Sequence, residues 1–373
     1  MQTTLARLFN GSMIALQTIL GIAGFALTTL LVGVDGYGPF SAIPLTLLYG
    51  FFATLVHEGG HWLGARLGGM TVIQAGAYGV EIQPQRRGAR LRYGRRRKGQ
   101  PFSGYVMAVD SARQPWRRAR LLMIAGGPLM NLLVAVLTVA IALTARVHMG
   151  LLLAFAAINL TLGLANLVPT FRRMHSDGGQ LLAWWRRPDE SSPDFAYTRL
   201  LALTVDGVGA ADLPPADLDI LARQPMPLPL VALSYRLTAL QSQGDWANAV
   251  ALEAPFKQLI AAHPDARTTV AGPVALIRRE LEFSRAMLEG TPTALIVPVQ
   301  NPDVDWYSPA LTHRCRALEA AFSGDRSTLE SELAIAEKLA HNSPVKSAVA
   351  LQAALSAHIR AVLGGTSSAS ALP

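Results

Sequence analysis

Four apolar runs in the first 170 residues, at about 13–34, 41–67, 119–144 and 149–169, constrain this 373-residue chain more than any other feature. A helix rises 1.5 Å per residue, so each run reaches across roughly 30 Å of hydrocarbon. In lipid every backbone N–H and C=O must be paired within the segment, which makes such runs helices. The 51% hydrophobic content and positive mean hydropathy exceed those of an average soluble domain, and the excess lies almost wholly before residue 170. The expected fold is an α-helical integral membrane protein with about four transmembrane helices.

Beyond the fourth run the chain alternates short apolar stretches with charges, Pro and Gly, as a soluble helical domain does. The expected organisation is a transmembrane domain over 1–190, an α-helical cytosolic domain over 205–363 and a disordered tail over 364–373. The formal charge of +8 raises the question of nucleic acid. About a dozen of the basic residues sit between Arg86 and Arg120, in a segment bracketed by apolar spans. That placement fits the bias of Lys and Arg toward the cytoplasmic side, with anionic lipid as counter-charge, and excludes nucleic acid as the partner. It puts both termini in the cytoplasm. Compact loops fit a multi-pass protein of a bacterial cytoplasmic membrane. Arg7 before the first run resembles a signal peptide, but the run is span-length and lacks a small-x-small cleavage site, so it is read as retained.

Met70–Pro84 is rich in β-formers around Gly76 and Gly79 and reads as a hairpin or an irregular strand pair at the membrane surface; Gly104–Val109 is a second strand candidate. Gln180–Arg187 mixes Trp184 and Trp185 with arginines, the mark of a short helix at headgroup level. In the C-terminal part, Leu230–Ser242 leads through Gly244-Asp245 into a helix reaching Ala262, and Leu311–Phe322 leads through Gly324-Asp325 into another ending near His341. These resemble tetratricopeptide-type hairpins, through which a cytosolic protein partner could be recruited; two occurrences do not set a repeat period.

The chemistry centres on His57-Glu58-Gly59-Gly60-His61 within the second run. Residues four apart stack on one helix face, so His57 and His61 can hold one zinc ion while Glu58, about 100° round the helix, reaches a water without being a ligand. Two surface histidines are the ordinary alternative, but ionisable groups inside an apolar span are expensive and default to function. A single cysteine, Cys315, removes any Cys-rich zinc module, so the remaining ligand is His or carboxylate. His57 lies roughly 20 Å along the span from Pro44, toward the cytoplasmic side. Ser176-Asp177-Gly178-Gly179, just beyond the fourth span, would ordinarily be a turn and helix N-cap. The need for a third ligand at that depth makes Asp177 the candidate; Asp35 is on the wrong side and Asp110 stands in the basic loop. Asn159, Gly163 and Asn166 share one face of the fourth span, directed to the bundle interior.

Together these residues resemble the site-2 proteases, which cut transmembrane segments within the bilayer. The resemblance covers about residues 40–185. It rests on His57-Glu58-Gly59-Gly60-His61, on Gly127-Pro128-Leu129-Met130-Asn131, and on Asn166-Leu167-Val168-Pro169 followed by Asp177-Gly178. It implies that His57, His61 and Asp177 bind Zn2+, that Glu58 is the catalytic acid/base and that Asn166 lies beside the reacting carbonyl. The substrate would be a membrane protein with a transmembrane helix, locally unwound or extended along the 70–84 segment. One departure is the interval of eleven residues from Asn166 to Asp177, longer than the family commonly shows, which leaves His175 as a competing ligand. Other readings are a non-proteolytic metal-binding scaffold, an ion transporter, or an anchor for the helical domain.

Overall fold

A computed structural model describes residues 4–94, 104–145, 148–171, 176–264, 270–295 and 302–369. By its contacts the chain divides into two compact units: Met1–Pro84 with Ala89–Arg96 and Gln100–Glu190, and Ser191–Pro373 with Gln85–Gly88 and Arg97–Gly99. The first contains four helices long and apolar enough to cross a membrane, which bears out the expected fold class. They are α1 (Thr4–Val34), α2 (Pro39–Leu67), α3 (Arg117–Ala145) and α4 (Met149–Leu167). The last ends two residues before the expected boundary. Pro169 forces its predecessor out of helical space, and Val168 is extended with φ −66° and ψ 121°.

α2 packs along α3, α1 along α4, and α3 also rests on α4. Polarity is inverted relative to a soluble protein. Thr46, Thr54, His57, Asn131, Thr138 and Asn159 are buried, whereas Ile19, Ile22, Leu30, Leu47, Leu133, Val136 and Leu143 are exposed. Lipid satisfies the outer face, and the few polar side chains must find partners inside.

Between α2 and α3 the chain forms β1 (Thr71–Ala77), β2 (Val80–Pro84), β3 (Ala89–Tyr93) and β4 (Gly104–Val109), an antiparallel sheet in the order β3-β2-β1-β4. The expected hairpin is β1–β2, closed by Tyr78-Gly79 with φ of 52° and 88°, the two positive values that suit a tight hairpin's twist. β3 is an addition to the sequence reading: its alternation Ala-Arg-Leu-Arg-Tyr was hidden within the basic run. Gln74 donates to the Tyr105 hydroxyl, which donates to Glu81, itself paired with Arg92, so the sheet's inward polar atoms satisfy one another. A short helix α5 (Asp177–Trp185) follows α4.

The second unit is entirely helical among its described residues: α6 (Ala196–Asp206), α7 (Pro215–Ala222), α8 (Leu228–Gln243), α9 (Trp246–Ala251), α10 (Glu253–Ala262), α11 (Ala271–Glu289), α12 (Pro302–Tyr307), α13 (Pro309–Ser323), α14 (Arg326–Asn342) and α15 (Ser347–Ala369), with short 3-10 turns between some of them. Both Gly-Asp turns solve one problem identically. Gly244 and Gly324 adopt φ of 74° and 76° to end a helix, and Asp245 and Asp325 cap the next by accepting from the N–H of Asn248 and Thr328. The expected helix 246–262 is instead two helices meeting at Leu252, because Pro255 has no N–H to give the carbonyl one turn back. α15 runs through Ala369, and residues 370–373 of the expected tail lie outside the described residues. The core is aliphatic: Leu311, Leu318, Leu329, Leu333, Leu355 and Ile359 pack with Phe283.

Candidate functional site

Glycine lets α2 and α3 touch backbone to backbone at the level of the histidines. A methyl group on Gly60 would lie 2.2 Å from the Gly126 carbonyl oxygen, and one on Gly126 the same distance from that of Gly60. At the next residue of α3 a methyl on Gly127 would fall 2.5 Å from His61 Nε2. Small residues here are thus a condition for the imidazoles to face α3 at all.

His57 and His61 emerge on the same side of α2, their Nε2 atoms 3.0 Å apart and their rings nearly perpendicular. Asp177 Oδ2 lies 3.0 Å from His57 Nε2 and 3.5 Å from His61 Nε2. One ligand-type atom from each of the three falls within 4.8 Å of the others, a spacing that a single metal ion can span. His61 Nδ1 is 2.8 Å from the carbonyl of Met123, which can only accept. Nδ1 therefore carries a proton, and in the neutral imidazole the lone pair is on Nε2, the nitrogen that faces the Asp177 carboxylate.

Hydrogen bonds among the described residues on either side of 172–175 hold the start of Asp177's helix. The Ser176 hydroxyl donates to the Val168 carbonyl and accepts from the N–H groups of Thr170 and Gly179, while Ser176 N–H donates to Thr170 O. Asn10 of α1 pairs with both the N–H and the C=O of Phe171. Ser176 is the N-cap of α5 and Asp177 its first residue, so the turn-and-cap reading and the reading of Asp177 as a metal candidate describe the same backbone. These bonds tie Ser176, and with it Asp177, to Val168 and Thr170, at the end of α4. His175, the competing candidate, lies outside the described residues.

Glu58 opens into a cavity of about 420 Å3 whose lining includes His57, His61, Asp177, Asn166, Tyr105 and Gln180. Among the described residues no hydrogen bond holds its carboxylate. β4 passes directly over it: a methyl on Gly104 would lie 2.6 Å from Glu58 Cγ. Among the described strands β4 pairs with β1, at the end of the sheet order. Asn166 lines the same cavity, with Nδ2 donating to Leu162 O. The five residues singled out in the sequence, His57, Glu58, His61, Asn166 and Asp177, are brought to one cavity.

Asn159 and Gly163 are buried on the same face of α4, as the spacing required. Asn131, noted in the sequence only as part of a motif, contacts His57 directly: its Oδ1 is 2.7 Å from Nδ1. A buried amide in an apolar span was the signal that could have marked it. The Met123 carbonyl and Gly104 gave no such signal, since backbone and a missing side chain leave no residue type to read.

Residues 46–147 match the family model of Peptidase family M50, the site-2 protease family. The resemblance carried by the His57–His61 motif and by Gly127–Asn131 is therefore shown over most of α2, the sheet and α3; the match supports a metallopeptidase, and with the four apolar helices it supports a multi-pass membrane protein. The match ends before Asn166 and Asp177, whose assignment rests on geometry. Neither a curated protein nor a solved structure matches the chain.

Proposed function

We propose that this chain is a zinc-dependent intramembrane endopeptidase that hydrolyses a peptide bond in or near a transmembrane segment of a partner membrane protein, as in regulated intramembrane proteolysis. The observation that carries the reading is the convergence of His57, His61 and Asp177 on one point, beside an unbonded Glu58 in the same cavity. Two imidazole nitrogens and a carboxylate oxygen are an established donor set for catalytic zinc, and Nε2 of both histidines faces the same Asp177 oxygen, where a cation would bridge them. Bound there, the ion would polarise the scissile carbonyl and acidify a water.

Glu58 takes a proton from the attacking water as its oxygen bonds to the carbonyl carbon, then gives that proton to the leaving amine as the C–N bond breaks. Asn166 supplies an amide donor to the carbonyl oxygen as negative charge gathers there. A helical substrate has its carbonyls engaged, so the segment must enter extended. Within the 70–84 segment, along which an extended substrate is expected, Ala75–Ala77 and Val80–Ile82 are already paired on both sides in the sheet. β4 passes over Glu58 and lines the cavity with Gly104, Tyr105 and Val106, so it is the strand beside which an extended substrate would lie. The site sits in the half of α2 nearer the basic segment, which on the positive-inside preference is the cytoplasmic half.

Glu58→Gln tests this. Cleavage of a co-expressed single-span substrate should fall by at least about 100-fold, while zinc stays near one per chain; Asp177→Ala should deplete the metal. Persistent cleavage by Glu58→Gln overturns the mechanism, and zinc retained by Asp177→Ala overturns the ligand set.

A further inference from the structure

Behind the histidines runs a chain of hydrogen bonds whose directions are dictated by carbonyl groups that can only accept. Asn159 Nδ2 donates to Phe155 O at 2.9 Å, which leaves Asn159 Oδ1 as the acceptor facing α3. Asn131 Nδ2 donates to Ala53 O at 2.9 Å and to Asn159 Oδ1 at 2.8 Å. Both amide hydrogens of Asn131 are thereby spent, and its Oδ1 is the atom left 2.7 Å from His57 Nδ1. An amide oxygen cannot donate, so the proton of this bond belongs to His57 Nδ1, which in the neutral ring leaves the lone pair on Nε2. Both asparagines are 0% exposed, so water does not compete for these groups.

We propose that Asn131, held by Asn159 and by the α2 backbone, is a positioning residue that locks His57 in the Nδ1–H tautomer and aims its Nε2 lone pair at the metal. The inference rests on reading the site as a zinc centre. The two imidazoles are oriented by unlike means. His61 uses a backbone carbonyl of α3, which substitution cannot remove, whereas His57 depends on a side-chain relay that ties α2, α3 and α4 together. Outer partners of this kind set ligand orientation and basicity, and losing one typically costs 10–100-fold in metal affinity. The competing role is interhelical glue, in which Asn131 serves only through its two donated bonds.

The two roles differ in what aspartate does at this position. Asn131→Asp keeps an oxygen to accept from His57 but loses both donors and brings in a buried carboxyl, the worse change for glue. Asn131→Leu keeps the approximate size and loses everything. The test is zinc affinity by chelator competition on full-length, metal-stripped Glu58→Gln protein in nanodiscs, so that metal binding is read without turnover. Cobalt(II) absorption reports the coordination environment, and thermal unfolding of the metal-free forms reports folding.

Asn131→Leu should weaken zinc 10–100-fold, and Asn131→Asp should stay within about threefold of the parent. Asn131→Leu at parental affinity, or Asn131→Asp no tighter than Asn131→Leu, overturns the proposal. Should Asn131→Leu fail to fold, Asn131→Asp decides alone, and a loss beyond about tenfold counts against the role. A parent that takes up no zinc removes the metal reading itself, an outcome distinct from a parent that binds zinc with indifferent variants.

Discussion

The two units of this chain are held together by opposite kinds of contact. All of the largest fully buried side chains, among them Leu200, Leu221, Phe283, Leu311 and Leu329, lie in the second unit. The interior between the spanning helices of the first draws mainly on glycine, alanine, threonine, asparagine and histidine, with Val32 and Ile124 among its few larger apolar members, and many of its leucines and isoleucines are exposed. In water, removing apolar surface from solvent is the main drive to pack, so the second unit is built from large aliphatics. In lipid that drive is absent between helices. The first unit relies instead on backbone contact and interhelical hydrogen bonds, the same groups that frame the candidate metal site. Packing and chemistry are separate in one unit and fused in the other.

The largest effect that would break this contrast is at the α2–α3 contact. Gly60→Val places its branched side chain against the Gly126 carbonyl, where even a methyl lies at 2.2 Å, and the helices must part. The expected outcome is loss of measurable proteolysis together with a fall in zinc affinity of roughly 100-fold or more, since His57 and His61 then no longer reach Asp177 and Asn131. A Gly60→Val protein with parental zinc content would mean that close helix approach and metal geometry are independent, and the fusion of packing with chemistry would be lost.

A smaller effect, confined to stability, is expected in the second unit. Leu329 is fully buried among Leu318, Leu333, Leu355 and Phe283, so Leu329→Ala should cost about 2–5 kcal/mol through lost transfer energy and an unfilled cavity. Urea titration should show an earlier midpoint for the second unit, with zinc content and Glu58-dependent cleavage unchanged in native buffer. Parallel loss of metal would show that the aliphatic core also governs the site.

What could be read from sequence divides along the same line. Spans, the β1–β2 hairpin, the Gly-Asp turns and the five site candidates all rest on local patterns: run length, β-branched alternation, a left-handed glycine before a capping aspartate, His at i and i+4. β3 was obscured because charge outweighed alternation in Ala89–Tyr93, and the break at Leu252 because Pro255 acts on a carbonyl one turn away. The relay from Phe155 through Asn159 and Asn131 to His57 could not be read, since its register depends on how α2, α3 and α4 rotate against one another. Sequence spacing gives the face of each helix but not the partner that the face meets.

The smallest expected effect is a null one, at Cys315. The thiol is 1% exposed between Leu311 and Leu318 on α13, and burial pushes its pKa up to about 12, with nearby Arg279 and Arg314 opposing only in part. The thiolate is the reactive form, so a raised pKa and a closed core both suppress alkylation. In the native protein Cys315 should stay unlabelled by a maleimide from pH 7 to pH 9, a range over which an ordinary cysteine gains thiolate and reacts faster, and should label fully once urea opens the second unit. Leu329→Ala sharpens this measurement, because labelling should then begin at the lower urea concentration at which that core opens. Native labelling at pH 7 would show that the second unit opens readily, and its tight aliphatic interior could no longer be set against the backbone-packed interior of the membrane unit.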